Sequence, residues 1–136
     1  RKEVVILDME AGIEHLVRGT ASAVDKLIVV VEPGRRSIET AINIKELAAE
    51  IGLKDLAIVA NKVRGQSDVD FLKANLPGFE FLGFIPYDQA IVNADLANKS
   101  PLDASEPAKA VVREIYQALL AGSSKAGGSK KAKAIK

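Results

Sequence analysis

Four short runs of mainly apolar, often β-branched residues recur along the chain, and segments with helical spacing lie between them. The runs are Glu3–Leu7, Lys26–Val31, Leu56–Ala60 and Phe79–Ile85. Strands that are apolar on both sides are typical of a parallel sheet buried on both faces, since its crossover helices cover it. The pattern therefore predicts an α/β fold with a mostly parallel sheet and helices on both faces.

The segments between and after the runs carry helix start and stop signals. Predicted helices are a short turn over Gly12–Arg18, a helix from an N-cap at Ser37 to a stop at Gly52, one from Ser67 or Asp68 through Asn75, one over Asp88–Ala97, and one from an N-cap at Ser105 through Leu120. Pro77-Gly78 ends the helix before the fourth strand. The predicted order is β-α-β-α-β-α-β-α-α.

Charge divides the chain of 136 residues into two parts. Residues 122–136 hold five lysines and no acids, which leaves 14 basic and 18 acidic residues in 1–121. A lysine-rich Gly/Ser/Ala segment has little to bury, so 122–136 is predicted to be a disordered tail behind a mildly acidic domain at 1–121. No aromatic residue lies among these lysines, so we expect no nucleic-acid binding by the tail.

Composition excludes several classes of protein. The chain has no cysteine, which rules out disulfides, thiolate metal sites and a cysteine nucleophile within these residues. No apolar run approaches the ~20 residues of a membrane span, so we expect no membrane partner. The absence of cysteine is compatible with a reducing cytoplasm, which is the location we expect. The sequence begins with Arg1 almost directly inside a strand, which favours the interpretation that further residues precede it.

Polar residues follow the predicted strands, where a parallel sheet forms its ligand crevice. Asp8 ends the first strand, as does the acid that holds magnesium in P-loop nucleotidases, and Gly12 follows at a distance that suits close approach to a phosphate. Asn61 follows the third strand, and its side chain offers a donor and an acceptor to a purine edge. Pro86 follows the fourth strand and fixes a backbone wall for a flat base.

Four stretches carry a family resemblance. They are Asp8–Leu16 with Arg18-Gly19-Thr20, Val30–Ala41 (Val-Val-Glu-Pro-Gly-Arg-Arg-Ser-Ile-Glu-Thr-Ala), Asn61–Arg64 (Asn-Lys-Val-Arg) and Leu82–Asp88 (Leu-Gly-Phe-Ile-Pro-Tyr-Asp). In order and spacing they resemble the MinD/nitrogenase-iron-protein group of P-loop ATPases, the SIMIBI type. The chain is most similar to the CooC-type accessory ATPases that insert nickel into carbon monoxide dehydrogenase.

The resemblance implies a role for individual residues. Asp8 would hold magnesium through a bound water and, with Gly12, would form the catalytic switch. The implied switch or dimer-face residues are Glu10, Glu14 and His15. The implied nucleotide-binding residues are Asn61, Lys62, Arg64, Pro86, Tyr87 and Asp88. Loss of the γ-phosphate contact on hydrolysis would then release the switch segment.

The resemblance also implies cofactors and partners. We expect ATP or ADP with Mg²⁺, a homodimer around nucleotide, and carbon monoxide dehydrogenase as the client. The family's glycine-rich P-loop is missing, because the sequence contains no Gly-Lys dipeptide, and so is its Cys-x-Cys pair for Ni²⁺ or Zn²⁺. Both precede the Asp8 strand in the family, so this chain resembles the carboxyl-terminal portion of such a protein. On its own it is expected to be inactive as an ATPase.

Three alternatives remain open from the sequence. The chain could come from a cell-division or partitioning ATPase of the MinD/ParA type, from an iron–sulfur assembly ATPase, or from a non-catalytic regulatory module that kept the fold without a P-loop. The lysine-rich end lacks the apolar face of a membrane-binding helix, which disfavours the first. His15, the only histidine, lacks a second soft ligand and is interpreted as a switch residue rather than a nickel ligand.

Overall fold

The computed structural model describes residues 4–9, 25–53, 55–126 and 130–135. Its strands are β1 (Val4–Met9), β2 (Lys26–Val31), β3 (Leu56–Val63), β4 (Glu80–Pro86) and β5 (Lys130–Ile135). Its helices are α1 (Arg35–Glu50), α2 (Gln66–Asn75), α3 (Gln89–Leu96), α4 (Pro101–Ala104) and α5 (Glu106–Ala126). The strands form one sheet in the order β1-β5-β2-β3-β4, and every pair is parallel.

Helices cover both faces of the sheet, as the sequence predicts. Alternate residues of β2 point to opposite faces, so Leu27, Val29 and Val31 pack against α1 and α2 while Ile28 and Val30 pack against α5. The core of the first face contains Ile38, Ala41, Ile44, Ala48, Ile58, Ala60, Val63, Leu72 and Leu76. The core of the second is smaller and contains Val59, Leu82, Ile85, Ile115 and Leu119.

Helix α5 lies especially close to the sheet at Gly83 of β4. A Cβ at this position would lie 2.8 Å from Cγ1 of Ile115 and 3.1 Å from Cγ1 of Val111. Atoms of neighbouring side chains do not approach a real Cβ that closely, so the absence of a side chain at Gly83 sets the distance between α5 and β4.

Some predicted helix ends are confirmed and others are wrong. Gly52 follows the end of α1 with a φ of 83°, a left-handed conformation that favours glycine, and the Leu53 N–H donates to the carbonyl of Ala48. Ser37, however, is not an N-cap. Helix α1 begins two residues earlier, and the Ser37 hydroxyl accepts the backbone N–H of Glu32 at 3.2 Å, which ties the end of β2 to the first turn.

The carboxyl-terminal residues differ from the expected disordered tail. Helix α5 continues past Gly122 to Ala126, and Lys130–Ile135 forms β5 between β1 and β2. Strand pairing uses backbone groups alone, and β1 and β2 each offer an edge there, so an alternating Lys/Ala segment fills the position. Three lysines in six residues are nevertheless unlike the apolar strands on either side, and β5 should be the least stable strand of the sheet.

Charged side chains join the beginnings of β2, β3 and β4, at the amino-terminal ends of these strands. The ammonium of Lys26 lies 3.1 Å from a carboxylate oxygen of Asp55 and 3.1 Å from one of Glu80. Burial works to lower the Lys26 pKa, but the two carboxylates outweigh it and hold the pKa above its ordinary value. This cluster ties the beginnings of the three strands together and stabilises the sheet. No helix in the described part of the chain is both long and apolar enough to cross a membrane.

Candidate functional site

Strand β3 contains an irregularity where the sequence predicted its end. Ala60 pairs with Phe84 and Val63 pairs with Pro86, so three steps along β3 match two along β4 and one residue is extra. The bulge falls on Asn61 and Lys62, and Lys62 has a φ of 57°, in the left-handed region. Bulges re-aim side chains and are common beside binding sites. Asn61 therefore lies within β3, not after it, because the bulge continues the pairing to Val63.

The bulge holds the Asn61 side chain in one orientation. Its Oδ1 accepts the backbone N–H of Lys62 at 2.9 Å. A carbonyl oxygen has two lone pairs, so Oδ1 keeps one for a ligand, and the Nδ2 amide carries two donors. Asn61 can thus present a fixed acceptor and donor side by side, which is the requirement for reading the edge of a purine.

A hollow of about 60 Å³ lies beside Asn61 at the carboxyl ends of β3 and β4. Its lining comprises Asn61, Lys62, Pro86, Tyr87, Asp88, Ile91 and Val92. Five of the six predicted nucleotide-binding residues are therefore brought together. Two of its lining residues, Lys62 and Val92, are exposed, so the hollow is open to solvent and a base can extend beyond it.

Lys62 separates this hollow from a larger one. The second hollow, of about 320 Å³, is lined by Glu32, Pro33, Lys62, Arg64 and Asp68. The Lys62 ammonium lies 3.0 Å from Oε1 of Glu32, and both side chains are more than half exposed. An exposed pair of this kind contributes about 0–1 kcal/mol, so Lys62 can leave it readily and join the two hollows into one groove.

Arg64 is the predicted residue that does not line the small hollow. Its guanidinium instead lies over the ring of Tyr87, with 4.6 Å between Cζ and the ring centroid. Its backbone N–H donates to Oδ2 of Asp68 at 2.9 Å, which secures the start of α2. Asp68 stabilises that helix start from inside the first turn, but the N-cap of α2 is Gly65, so the predicted N-cap at Ser67 or Asp68 is wrong.

Asp88 connects the hollow to two helices. Its Oδ1 accepts the backbone N–H of Ala90 at 2.9 Å, so Asp88 is the N-cap of α3. The Ser105 hydroxyl, and secondarily the Ala90 N–H, hold the pKa of the Asp88 carboxyl below its ordinary value. Ser105 is itself buried, and its Oγ accepts the Ala108 N–H at 3.3 Å, which confirms Ser105 as the cap of α5.

Ser105→Ala should loosen both helix starts. Loss of the cap costs about 0.5–2 kcal/mol of unfolding free energy. Loss of the donor should raise the pKa of Asp88 toward its ordinary value. In the wild type the Asp88 contribution is fully present above the ordinary carboxyl pKa and is lost as pH falls through the lowered folded-state value. Thermal melts and an NMR titration of Asp88 Cγ check both effects, with the exposed Ser100→Ala as control. An unchanged Asp88 titration would contradict the assigned contact.

Of the predicted switch and magnesium-binding residues, the structure describes Asp8 alone. Asp8 lies near the carboxyl end of β1, on the same edge of the parallel sheet as Asn61 and Pro86. The predictions for Glu10, Gly12, Glu14 and His15, and for the turn over Gly12–Arg18, lie outside the described residues. Within the described ranges, no three His, Cys, Asp or Glu side chains are grouped to hold a metal ion.

Sequence reasoning missed three residues at this edge. Ile91 and Val92 line the hollow from the first turn of α3, and Gln89 accepts the Tyr87 hydroxyl at 2.8 Å. The signal that could have found them is Asp88, an N-cap residue two positions after the end of β4. The first turn of α3 therefore begins at the carboxyl end of that strand.

The fold of the chain is that of MinD. It matches the MinC:MinD cell division protein complex of Aquifex aeolicus with a TM-score of 0.57 and 20% identity, covering 72% of this chain and 44% of that one. It matches the MinD cell division protein of the same organism with a TM-score of 0.52 and 21% identity, covering 70% and 44%. These likenesses establish the P-loop ATPase fold type.

Sequence relatives narrow the assignment. The chain is 46% identical to the carbon monoxide dehydrogenase accessory protein CooC of Rhodospirillum rubrum over 120 residues, which is 88% of this chain and 46% of that protein. The chain is a CooC homologue of the MinD-like P-loop ATPase group. It is also 40% identical over 123 residues to an uncharacterized ATP-binding protein of Methanocaldococcus jannaschii, covering 88% of this chain and 47% of that protein.

The CooC homologue described here spans about half the length of these curated relatives. No family model matches it. The family resemblance and the α/β fold type expected from the sequence are both confirmed.

Proposed function

We propose that this chain supplies the base-binding half of a CooC-type ATPase that delivers nickel to carbon monoxide dehydrogenase. The observation that carries the proposal is the convergence of Asn61, Pro86 and Tyr87 on one hollow in a chain 46% identical to CooC. Asn61 would bind the polar edge of adenine, and Pro86, Tyr87 and Ile91 would line the space around its ring.

The phosphates and magnesium would be bound at the neighbouring strand ends. Asp8, on the same edge of the sheet, would hold magnesium through a bound water. Magnesium supplies charge neutralisation for the β- and γ-phosphates when it is bound. A glycine-rich phosphate loop is also required, and the 136 residues contain none, so we assign the loop to another part of the whole protein.

In the whole protein, we propose that nucleotide closes a homodimer and that hydrolysis reopens it. The segment that includes Glu10, Gly12, Glu14 and His15 would sense the γ-phosphate and transmit its loss to the dimer face. The nickel ion would be cargo, held by thiolates that this chain does not contain.

The nucleotide affinities of the isolated chain test the proposal that it binds the base but not the phosphates. Because only the base is contacted, adenosine, ADP and ATP should bind to the 136-residue chain with similar Kd values, and the chain should not hydrolyse ATP. Calorimetric titration and a phosphate-release assay measure the two quantities. Specific ATP turnover by this chain, or ATP binding far tighter than adenosine binding, would contradict the proposal.

The proposed client requires a separate experiment in the host organism. Carbon monoxide dehydrogenase purified from cells that lack the whole protein should contain less nickel per subunit than the wild-type enzyme, as measured by plasma mass spectrometry. Equal nickel content in both preparations would contradict the proposed role in nickel delivery. It would not bear on the proposed base-binding site.

A further inference from the structure

Tyr87 is held by its backbone, by its ring face and by its hydroxyl. Its backbone N–H donates to the carbonyl of Val63 at 2.8 Å, its ring face lies under the Arg64 guanidinium, and its hydroxyl donates to Oε1 of Gln89 at 2.8 Å. These contacts come from the end of β3, from the loop after β3, and from the first residue of α3. Backbone, ring face and hydroxyl are therefore all fixed without a ligand.

The two residues that hold the ring are themselves tied to their neighbours, Arg64 by its backbone and Gln89 by its side chain. The backbone of Arg64 is tied to Asp68, and the Gln89 amide donates to Oδ1 of Asn93 at 3.2 Å. Arg64 and Gln89 are both exposed and belong to neither core cluster. Core packing therefore does not account for this arrangement, and the residue that the two side chains hold, Tyr87, lines the small hollow.

We infer that Arg64 and Gln89 are positioning residues that hold the Tyr87 ring as a preformed aromatic wall for a purine base. The inference rests on the proposed nucleotide function and adds a physical role for two residues within it. Because Arg64 covers one face of the ring, the base meets the ring from the side that lines the hollow. Fixing the ring in advance removes the ordering cost that binding would otherwise bear.

Arg64 thus acts through Tyr87 and does not bind the nucleotide itself. A residue that bound the phosphates would affect ATP and leave adenosine unchanged, whereas a residue that orients the wall affects adenosine and ATP alike. A residue that blocked the stacking face would weaken binding when present, so its removal would tighten binding. The three roles give different results with the same variant.

The test is the adenosine Kd of Arg64→Ala, Arg64→Lys and Gln89→Ala, measured by NMR titration of the 136-residue chain. We expect Arg64→Ala to weaken adenosine binding by about two- to fivefold, in line with an exposed cation–π contact, and Arg64→Lys to recover part of the loss. Arg113→Ala removes the same charge from α5 outside the hollow and should change nothing. Tyr87→Ala removes the wall and should weaken binding by about fivefold or more.

Two further measurements separate positioning from a general structural role. Gln89→Ala should have no additional effect in a Tyr87→Phe background, because the hydroxyl that it accepts is gone. Melting temperatures recorded in parallel should not track the Kd changes. Unchanged or tighter adenosine binding by Arg64→Ala would overturn the inference and leave the base site standing. Failure of the wild-type chain to bind adenosine would overturn the base site and this inference together.

Discussion

Replacing Gly83 by valine should push the carboxyl-terminal helix away from the sheet and lower the free energy of unfolding by about 2–3 kcal/mol. The reason is the 2.8 Å separation between a Cβ at this position and Cγ1 of Ile115, with Val111 only slightly farther away. The core behind α5 is small, so it has few neighbours that can absorb the added volume. Urea denaturation followed by circular dichroism measures the loss.

A second substitution identifies the cause of that loss. Ile115→Ala in the Gly83→Val background should recover stability relative to the sum of the two single effects, since the shortened side chain makes room. Ala118→Val adds a branched side chain to an exposed position of α5 and serves as control. If Gly83→Val is as stable as that control, the close approach of α5 to β4 is wrong.

Asn61→Asp should reverse the base preference of the hollow from adenosine to guanosine. The Watson–Crick edge of guanine presents two donors, whereas that of adenine presents one donor and one acceptor. A carboxylate only accepts, so it pairs with guanine and opposes the acceptor of adenine. A hydrogen bond to a charged group contributes about 1.5–3 kcal/mol, so the ratio of the two Kd values should change by about tenfold or more.

The substitution should change the hydrogen-bonding groups of residue 61 without changing the orientation of its side chain. Aspartate keeps the Oδ1 atom that accepts the Lys62 N–H at 2.9 Å, so the side chain should retain its orientation in the bulge. Asn61→Ala is the matched control, because it removes both groups and should weaken adenosine binding without creating a preference for guanosine. Equal losses for the two nucleosides in Asn61→Asp would mean that Asn61 does not read the base.

Local chemistry explains which parts of the fold the sequence predicts well. The apolar runs locate the four strands β1 to β4, Gly52 ends α1 and Ser105 caps α5, because each of these signals acts on its own neighbours. The same reasoning misplaced the caps of α1 and α2. Two residues, Glu32 and Ser37, form a contact across the loop that no single-residue preference encodes.

Tertiary pairing explains what the sequence does not reveal. The bulge at Asn61 and Lys62 arises from the register of β3 against β4, which depends on residues more than twenty positions away. Strand β5 forms because β1 and β2 leave a position between them, not because Lys130–Ile135 prefers a strand. The candidate site shows the effect of local signals and that of tertiary pairing. The grouping of Asn61, Pro86 and Tyr87 was predicted, but the contacts of Arg64 and Gln89 with Tyr87 were not.

The most direct test of the account is the location at which adenosine binds to the 136-residue chain. We expect a ¹⁵N-labelled sample titrated with adenosine to show shifts of the Asn61 side-chain amide and of the backbone amides of Tyr87, Ile91 and Val92. No shifts are expected near Lys45 and Phe79, which line a separate hollow at the opposite, amino-terminal ends of β3 and β4. Shifts confined to that opposite hollow, or none up to the solubility of adenosine, would contradict the assignment of the β3–β4 edge as a base-binding site.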